Sequence, residues 1–207
     1  MAYSNFNSLK KVEKQLGLTI KAGYFFSIDN IVSIQPSAWL LESLKRAEKQ
    51  GYDSEKERSE RIVWPILSEL SNLNGLGITI YSGHELNVDK SLGLNGECDF
   101  LLALGQKVIQ MVQSPLFSVV EAKRQDLAWG TAQCAAQMLG VSRFNESEGN
   151  KLPYSYGGTT DGVKWNFLKL ENNVLTVDQT NVLFRDIPKL LGILQFLLDD
   201  CKKFGVV

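Results

Sequence analysis

One histidine, His84, stands in a chain of 207 residues, and that scarcity removes whole chemistries. Paired-histidine phosphodiesterases, HExxH hydrolases and the HxE zinc deaminases each need a histidine in a context that His84 lacks. A Ser-His-Asp triad would have no G-x-S-x-G elbow to stand on. Cys98, Cys134 and Cys201 are odd in number and without CxxC spacing, so neither a disulfide framework nor a zinc knuckle is expected. They read as small buried residues in a reducing compartment. No GxxxxGK[ST] stretch exists, which excludes an internal nucleotide motor and leaves no nucleotide cofactor to expect. Neither an N-terminal apolar h-region nor a run of about eighteen apolar residues occurs. The expectation is a soluble, cytoplasmic chain that makes no membrane contact. A basic surplus is missing too: Lys and Arg number 22 against 23 Asp and Glu. This excludes a bulk nucleic-acid coater, but not an enzyme that meets phosphates through a local patch.

What is present suits one globular domain with a modest extension, long enough to bury a substantial core. Phe6, Leu9, Val12 and Leu16 recur at helical spacing, whereas residues 22–35 read as extended or irregular. Ser37 is placed to cap a helix through Trp39, Leu40, Leu44 and Ala47 to Gly51. A second helix runs from Asp53 or Ser54 to about Asn72 on a stripe of Ile62, Val63, Ile66, Leu67 and Leu70, with Pro65 expected to bend it. Strands are expected near 78–82, 85–89, 98–104, 117–123, 153–158, 164–170 and 174–177, with a helix near 126–141. Asp161-Gly162 marks a hairpin. A closing helix, 185–202, carries Ile187, Leu190, Leu191, Ile193, Leu194, Leu197 and Leu198.

Candidate chemistry gathers at two strand ends. Asp99 opens one apolar run, and Glu121-Ala122-Lys123 closes another, Phe117-Ser118-Val119-Val120. Alternation along a strand points Glu121 and Lys123 the same way as Val119 and Phe117. Asp99, Glu121 and the Ala122 carbonyl are hard oxygen donors of the kind that suits Mg²⁺ or Mn²⁺. Without a cation, two such carboxylates held together would repel, and one would tend to stay protonated.

Asp99 followed by Glu121-Ala122-Lys123 resembles the PD-(D/E)XK nuclease superfamily, nearest to the nuclease domains of type I restriction subunits. The motif's proline is absent, since Glu97-Cys98 precedes Asp99. The likeness extends over roughly residues 54–170. It takes in the acid-bearing helix from Ser54, the helix with Gln133 and Gln137 one turn apart, and the Thr160–Phe167 hairpin. The long interval between Asp99 and Glu121 leaves room for an extra short strand between turns at Gly105-Gln106 and Gln113-Ser114-Pro115. The resemblance implies an α/β fold with a restriction-endonuclease-like αβββαβ core and a mixed central sheet flanked by helices. Residues 53–207 would form that domain behind an N-terminal helical extension, 1–52. It further implies a metal-dependent endodeoxyribonuclease of restriction, repair or mobile-element type, acting on DNA or, since nothing here reads the sugar, on RNA. Asp99, Glu121 and the Ala122 carbonyl would hold Mg²⁺ or Mn²⁺. Lys123 would orient or deprotonate the attacking water or offset the developing negative charge, Glu55 would be the helix acid, and Gln133 would position water or phosphate, with Gln137 secondary.

Plainer readings stand beside these. Glu121 and Lys123 could be a surface ion pair, and Glu55, Glu57 and Glu60 could complement a helix dipole. Gln133 and Gln137 could face solvent. Trp39, Trp64, Trp129 and Trp165 are expected as core or edge packing, and His84 as structural. The rival function is a non-catalytic interaction module on a nuclease-like scaffold, with the long helices offering a homodimer or partner surface.

Overall fold

Ser8 starts the first helix: its hydroxyl accepts from the Lys11 amide, and Leu9–Leu16 (α1) stops at Gly17, whose φ of 69° suits a residue without Cβ. The computed structural model describes residues 2–106, 111–123, 126–180 and 182–204, without the Leu76 side chain. A strand, Thr19–Gly23 (β1), follows. Ser37 caps Ala38–Gln50 (α2) by accepting from the Leu40 amide. Ser54 and Glu57 form a reciprocal capping box at the start of Glu55–Arg58 (α3). The helix then widens into one π-helical stretch, Ser59–Val63, before Trp64–Leu73 (α4). Pro65 explains the widening. It offers no N–H to the Arg61 carbonyl and its ring crowds that group, so the turn just upstream opens instead of breaking.

The remaining elements are β2 (Ile78–Glu85), β3 (Glu97–Leu104), β4 (Leu116–Ala122), α5 (Leu127–Ser147), β5 (Tyr154–Thr160), β6 (Lys164–Glu171), β7 (Val174–Asp178), β8 (Val182–Leu183) and α6 (Ile187–Lys202). They build a mixed sheet of eight strands in the order β1-β7-β6-β5-β4-β3-β2, with β8 also on β6. β2, β3 and β4 form an antiparallel meander, α5 crosses over, and β5 lies parallel to β4. β1 is likewise parallel to β7.

Two apolar layers sandwich the sheet. Leu40, Ile62, Ile66, Leu67 and Leu70 join the α6 leucines against Phe100, Leu102 and Phe167 on one face. Val12 and the buried α5 residues, Ala132 to Val141, cover Leu101, Ala103 and Val119 on the other. Every apolar stripe residue expected for the second and closing helices is buried.

Several expectations need revision. Residues 1–52 are not a purely helical extension, because β1 lies within them and adds a sheet strand beside β7. The strand expected at 78–82 runs on to Glu85 as β2, and the one expected at 85–89 does not form; among the described residues only an Asp89–Leu94 bridge follows. Residues 111–115 carry no strand, and 107–110, where an extra strand was expected, lie outside the described residues. The strand alternation fails at one point. Leu102 faces Ser118 while Ala103 faces Leu116, so Phe117 is the extra residue of a β-bulge. Phe117 therefore packs with the α4 and α6 layer, whereas Val119 packs with α5. Among the described residues no helix is long and apolar enough to cross a membrane.

Candidate active site

The bulge sets the aim of the last residues of β4. Beyond it, Val119 and Glu121 share the α5 face, because alternate residues along a strand point together. Phe100 pairs with Val120 and Leu101 with Val119, so one further step brings Asp99 across from Glu121. The two acids are thus neighbours across two antiparallel strands. Asp99 does not hang free: its Oδ2 accepts the Ala122 amide at 2.8 Å. Lys123 follows where β4 ends, its amide tied to the Thr160 carbonyl at 2.8 Å.

Glu121 is the centre of the cluster. It is only 1% exposed. Its Oε1 meets Lys123 Nζ at 2.9 Å, and its Oε2 accepts from Gln137 Nε2 at 3.0 Å. Gln137, given the secondary part in the sequence reading, is thus the α5 residue that binds the carboxylate. Gln133 lies one turn closer to the helix start, is buried, and has no hydrogen bond among the described residues. Lys123 Nζ also lies 3.9 Å from Glu55 Oε2. Of the three helix acids, Glu57 is spent on the capping box and Arg61, while Glu60 lies 3.8 Å from Lys56.

Gly130, in the first turn of α5, permits this crowding. A Cβ there would stand 2.7 Å from Lys123 Cγ, so only a glycine lets the helix press on the lysine stem. The helix itself starts at Asp126, whose carboxylate accepts the Trp129 amide at 2.8 Å.

Electrostatics follow from this packing. Burial, then the Asp99 charge, push the Glu121 pKa up to about 7, against the pull of Lys123 and Gln137. Asp99 is raised as well, by burial first; the Ala122 amide and Lys123 oppose this, while Glu55 and Glu97 add to it. Burial works against the Lys123 ammonium, but Glu121, Glu55 and Asp99 outweigh it and raise the lysine. Among the described residues, three carboxylates, Glu121, Glu55 and Asp99, act on the one Lys123 ammonium.

Asp99 opens onto a cleft of about 390 Å³ between α3 and β2, shared with Glu55, Glu60, Glu97 and Lys56. Glu97 did not figure in the sequence reading. Its signal was present, since it stands two residues before Asp99 in one strand and so shares its face.

The side chains that could hold a cation here, Asp99 and Glu121, offer oxygen donors only. Among the described residues no three His, Cys, Asp or Glu side chains gather closely enough to hold an ion by themselves. What fits is an ion that takes few protein ligands and keeps its waters, as Mg²⁺ does. The Lys123 ammonium against Glu121 fills the place of positive charge in this arrangement. The cysteines are free and buried.

Scanned against models of known families, against curated proteins and against solved structures, the chain matches none of them.

Proposed function

We propose that this chain is a divalent-metal-dependent nuclease that hydrolyses phosphodiester bonds of DNA, with a restriction-endonuclease-like core. The observation that carries the reading is the meeting of Asp99 with Glu121 and Lys123, from which it is distant in sequence, at one end of β3 and β4 beside an open cleft. The order of elements supports it: helix, three-strand meander, helix, then a strand parallel to the third. That is the αβββαβ order the sequence resemblance implies.

Asp99 and Glu121 would hold Mg²⁺ or Mn²⁺ with the Ala122 carbonyl. A divalent cation bound there lowers the pKa of a water and offsets charge building on the phosphate. The chain's own groups do the rest. The Ala122 amide fixes the Asp99 carboxylate, and Gln137 fixes that of Glu121. Lys123 keeps its proton and supplies positive charge where the phosphate oxygens become more negative. Glu55 holds that ammonium from the cleft side.

The test is a plasmid-nicking assay with purified protein and Mg²⁺ or Mn²⁺. Nicking is expected, with Lys123→Ala and Asp99→Asn each abolishing it. Nicking that persists in both variants overturns the assignment. One observation favours a second reading, a non-catalytic module on the same scaffold: Glu121 is sealed from solvent and both its oxygens are already bonded. Calorimetry showing no Mn²⁺ uptake would support that reading.

A further inference from the structure

Three of the four tryptophans are not core residues: Trp39 is 52% exposed, Trp64 41% and Trp129 42%, while Trp165 is fully buried. Large aromatic surface left in water is informative where it adjoins a site. Trp64 does. It lies one helical turn beyond Glu60 of the acidic cleft, and its ring stacks at 6.5 Å, 20° from parallel, on Phe100, the neighbour of Asp99. Past Trp64 the space between α4 and the sheet-edge strand β2 opens into a groove of about 650 Å³. Its lining changes character from the cleft. Ser68, Asn72, Thr79, Ile80 and Gln106 line it with Trp64, and among the described residues no residue of the lining is charged.

We infer that this groove takes an unpaired nucleic-acid strand leading away from the cleft, with one base stacked on Trp64. The proposal rests on the nuclease reading of the cleft and narrows its substrate to DNA with a single-stranded stretch beside the cleaved bond. A base within a duplex has both faces covered by its neighbours, so an indole face is open only to an unpaired or flipped base. Neutral hydroxyl and amide groups can meet a base edge or backbone without the repulsion that carboxylates would impose.

Fluorescence anisotropy in EDTA separates this proposal from catalysis. The probes are a labelled single-stranded DNA of mixed sequence, its duplex, and the RNA strand of the same sequence. The single strand is expected to bind tighter than the duplex. Trp64→Ala should weaken it roughly tenfold or more, the range measured for base stacking on aromatics, and Trp64→Phe should restore most of the loss. Ser68→Glu leaves the Trp64–Phe100 packing intact and should weaken the strand comparably, whereas Tyr24→Ala, 73% exposed and beyond β1 at the far sheet edge, should not. Tighter RNA binding with the same Trp64 dependence supports the stacking role. Single-strand affinity unchanged in both Trp64→Ala and Ser68→Glu overturns the groove, even if nicking still depends on Asp99 and Lys123. Conversely, Trp64-dependent strand binding without any nicking sustains the groove and defeats the catalytic reading.

Discussion

Glu121→Gln exposes the charge conflict at the site. Burial and the neighbouring Asp99 raise the Glu121 pKa from 4.5 to about 7. Between those values the unfolded chain has released this proton and the folded chain still holds it. The stabilisation associated with Glu121 is therefore complete below the unfolded pKa and is lost as pH rises through about 7. The gap corresponds to about 3 kcal/mol, at 1.36 kcal/mol per pH unit. Glutamine keeps an acceptor for Gln137 or Lys123 and has no proton to lose, so the variant escapes this decline. Urea unfolding followed by tryptophan fluorescence in EDTA, at pH 5 and pH 8, measures it. Since pH 5 already lies above the unfolded value, the variant should gain roughly 2–3 kcal/mol relative to the native chain on going from the lower to the higher pH, while nicking activity is lost. A carboxylate kept at such a cost is what a site under functional demand displays. An equal stability difference between the two proteins at both pH values would refute the reasoning, because Glu121 would then not titrate in that window.

The remaining expectations are more local. Mn²⁺ or Mg²⁺ should raise the Tm of the native chain by mass action and leave Asp99→Asn unmoved, as read by calorimetry. Gly130→Ala should displace the Lys123 stem, cutting kcat by tenfold or more with a stability change of about 1 kcal/mol, provided nicking is measured beside denaturant midpoints. Buried Asn145 accepts the Leu116 amide at 2.8 Å and donates to the Leu116 carbonyl at 2.6 Å, pinning the start of β4 to α5. Asn145→Ala leaves both backbone groups without a partner and should cost about 2–4 kcal/mol in urea unfolding.

Periodicity made the helices readable. The α6 stripe from Ile187 to Leu198 and the α4 stripe from Ile62 to Leu70 are dictated by the side chains themselves, and the structure buries them all. β1 escaped because Thr19–Gly23 has little apolar alternation and buries none of its residues; it is a strand only through its parallel pairing with β7, a contact no local window contains. The bulge at Phe117 was equally silent. An extra residue is defined by a partner strand's register, so Glu121 and Lys123 turned out to share a face with Val119 but not with Phe117. At the site, the acids and the lysine could be named from spacing. That Gln137 rather than Gln133 reaches Glu121 depends on how far α5 is shifted along β4; of the tryptophans expected in core or edge packing, Trp165 is in the core and Trp64 packs half-exposed on Phe100.

The charge balance around Glu121 bears on why such a cluster exists at all. A buried ion pair is a poor way to stabilise a fold, since apolar residues of similar volume commonly do as well or better. Glu121 and Lys123 therefore need some reason beyond stability. A structural pair would be balanced, one acid against one base, and closed off. Here, among the described residues, Lys123 faces Glu121, Glu55 and Asp99 together, and Glu97 and Glu60 line the same cleft with Lys56. Burial is the first cause of the raised pKa values of Asp99 and Glu121, and neighbouring carboxylates add to it. An imbalance of this sign, open to solvent on the Asp99 side, is relieved by a removable cation. With such an ion bound, both carboxylates would ionise and the Lys123 ammonium would be free to turn towards a phosphate.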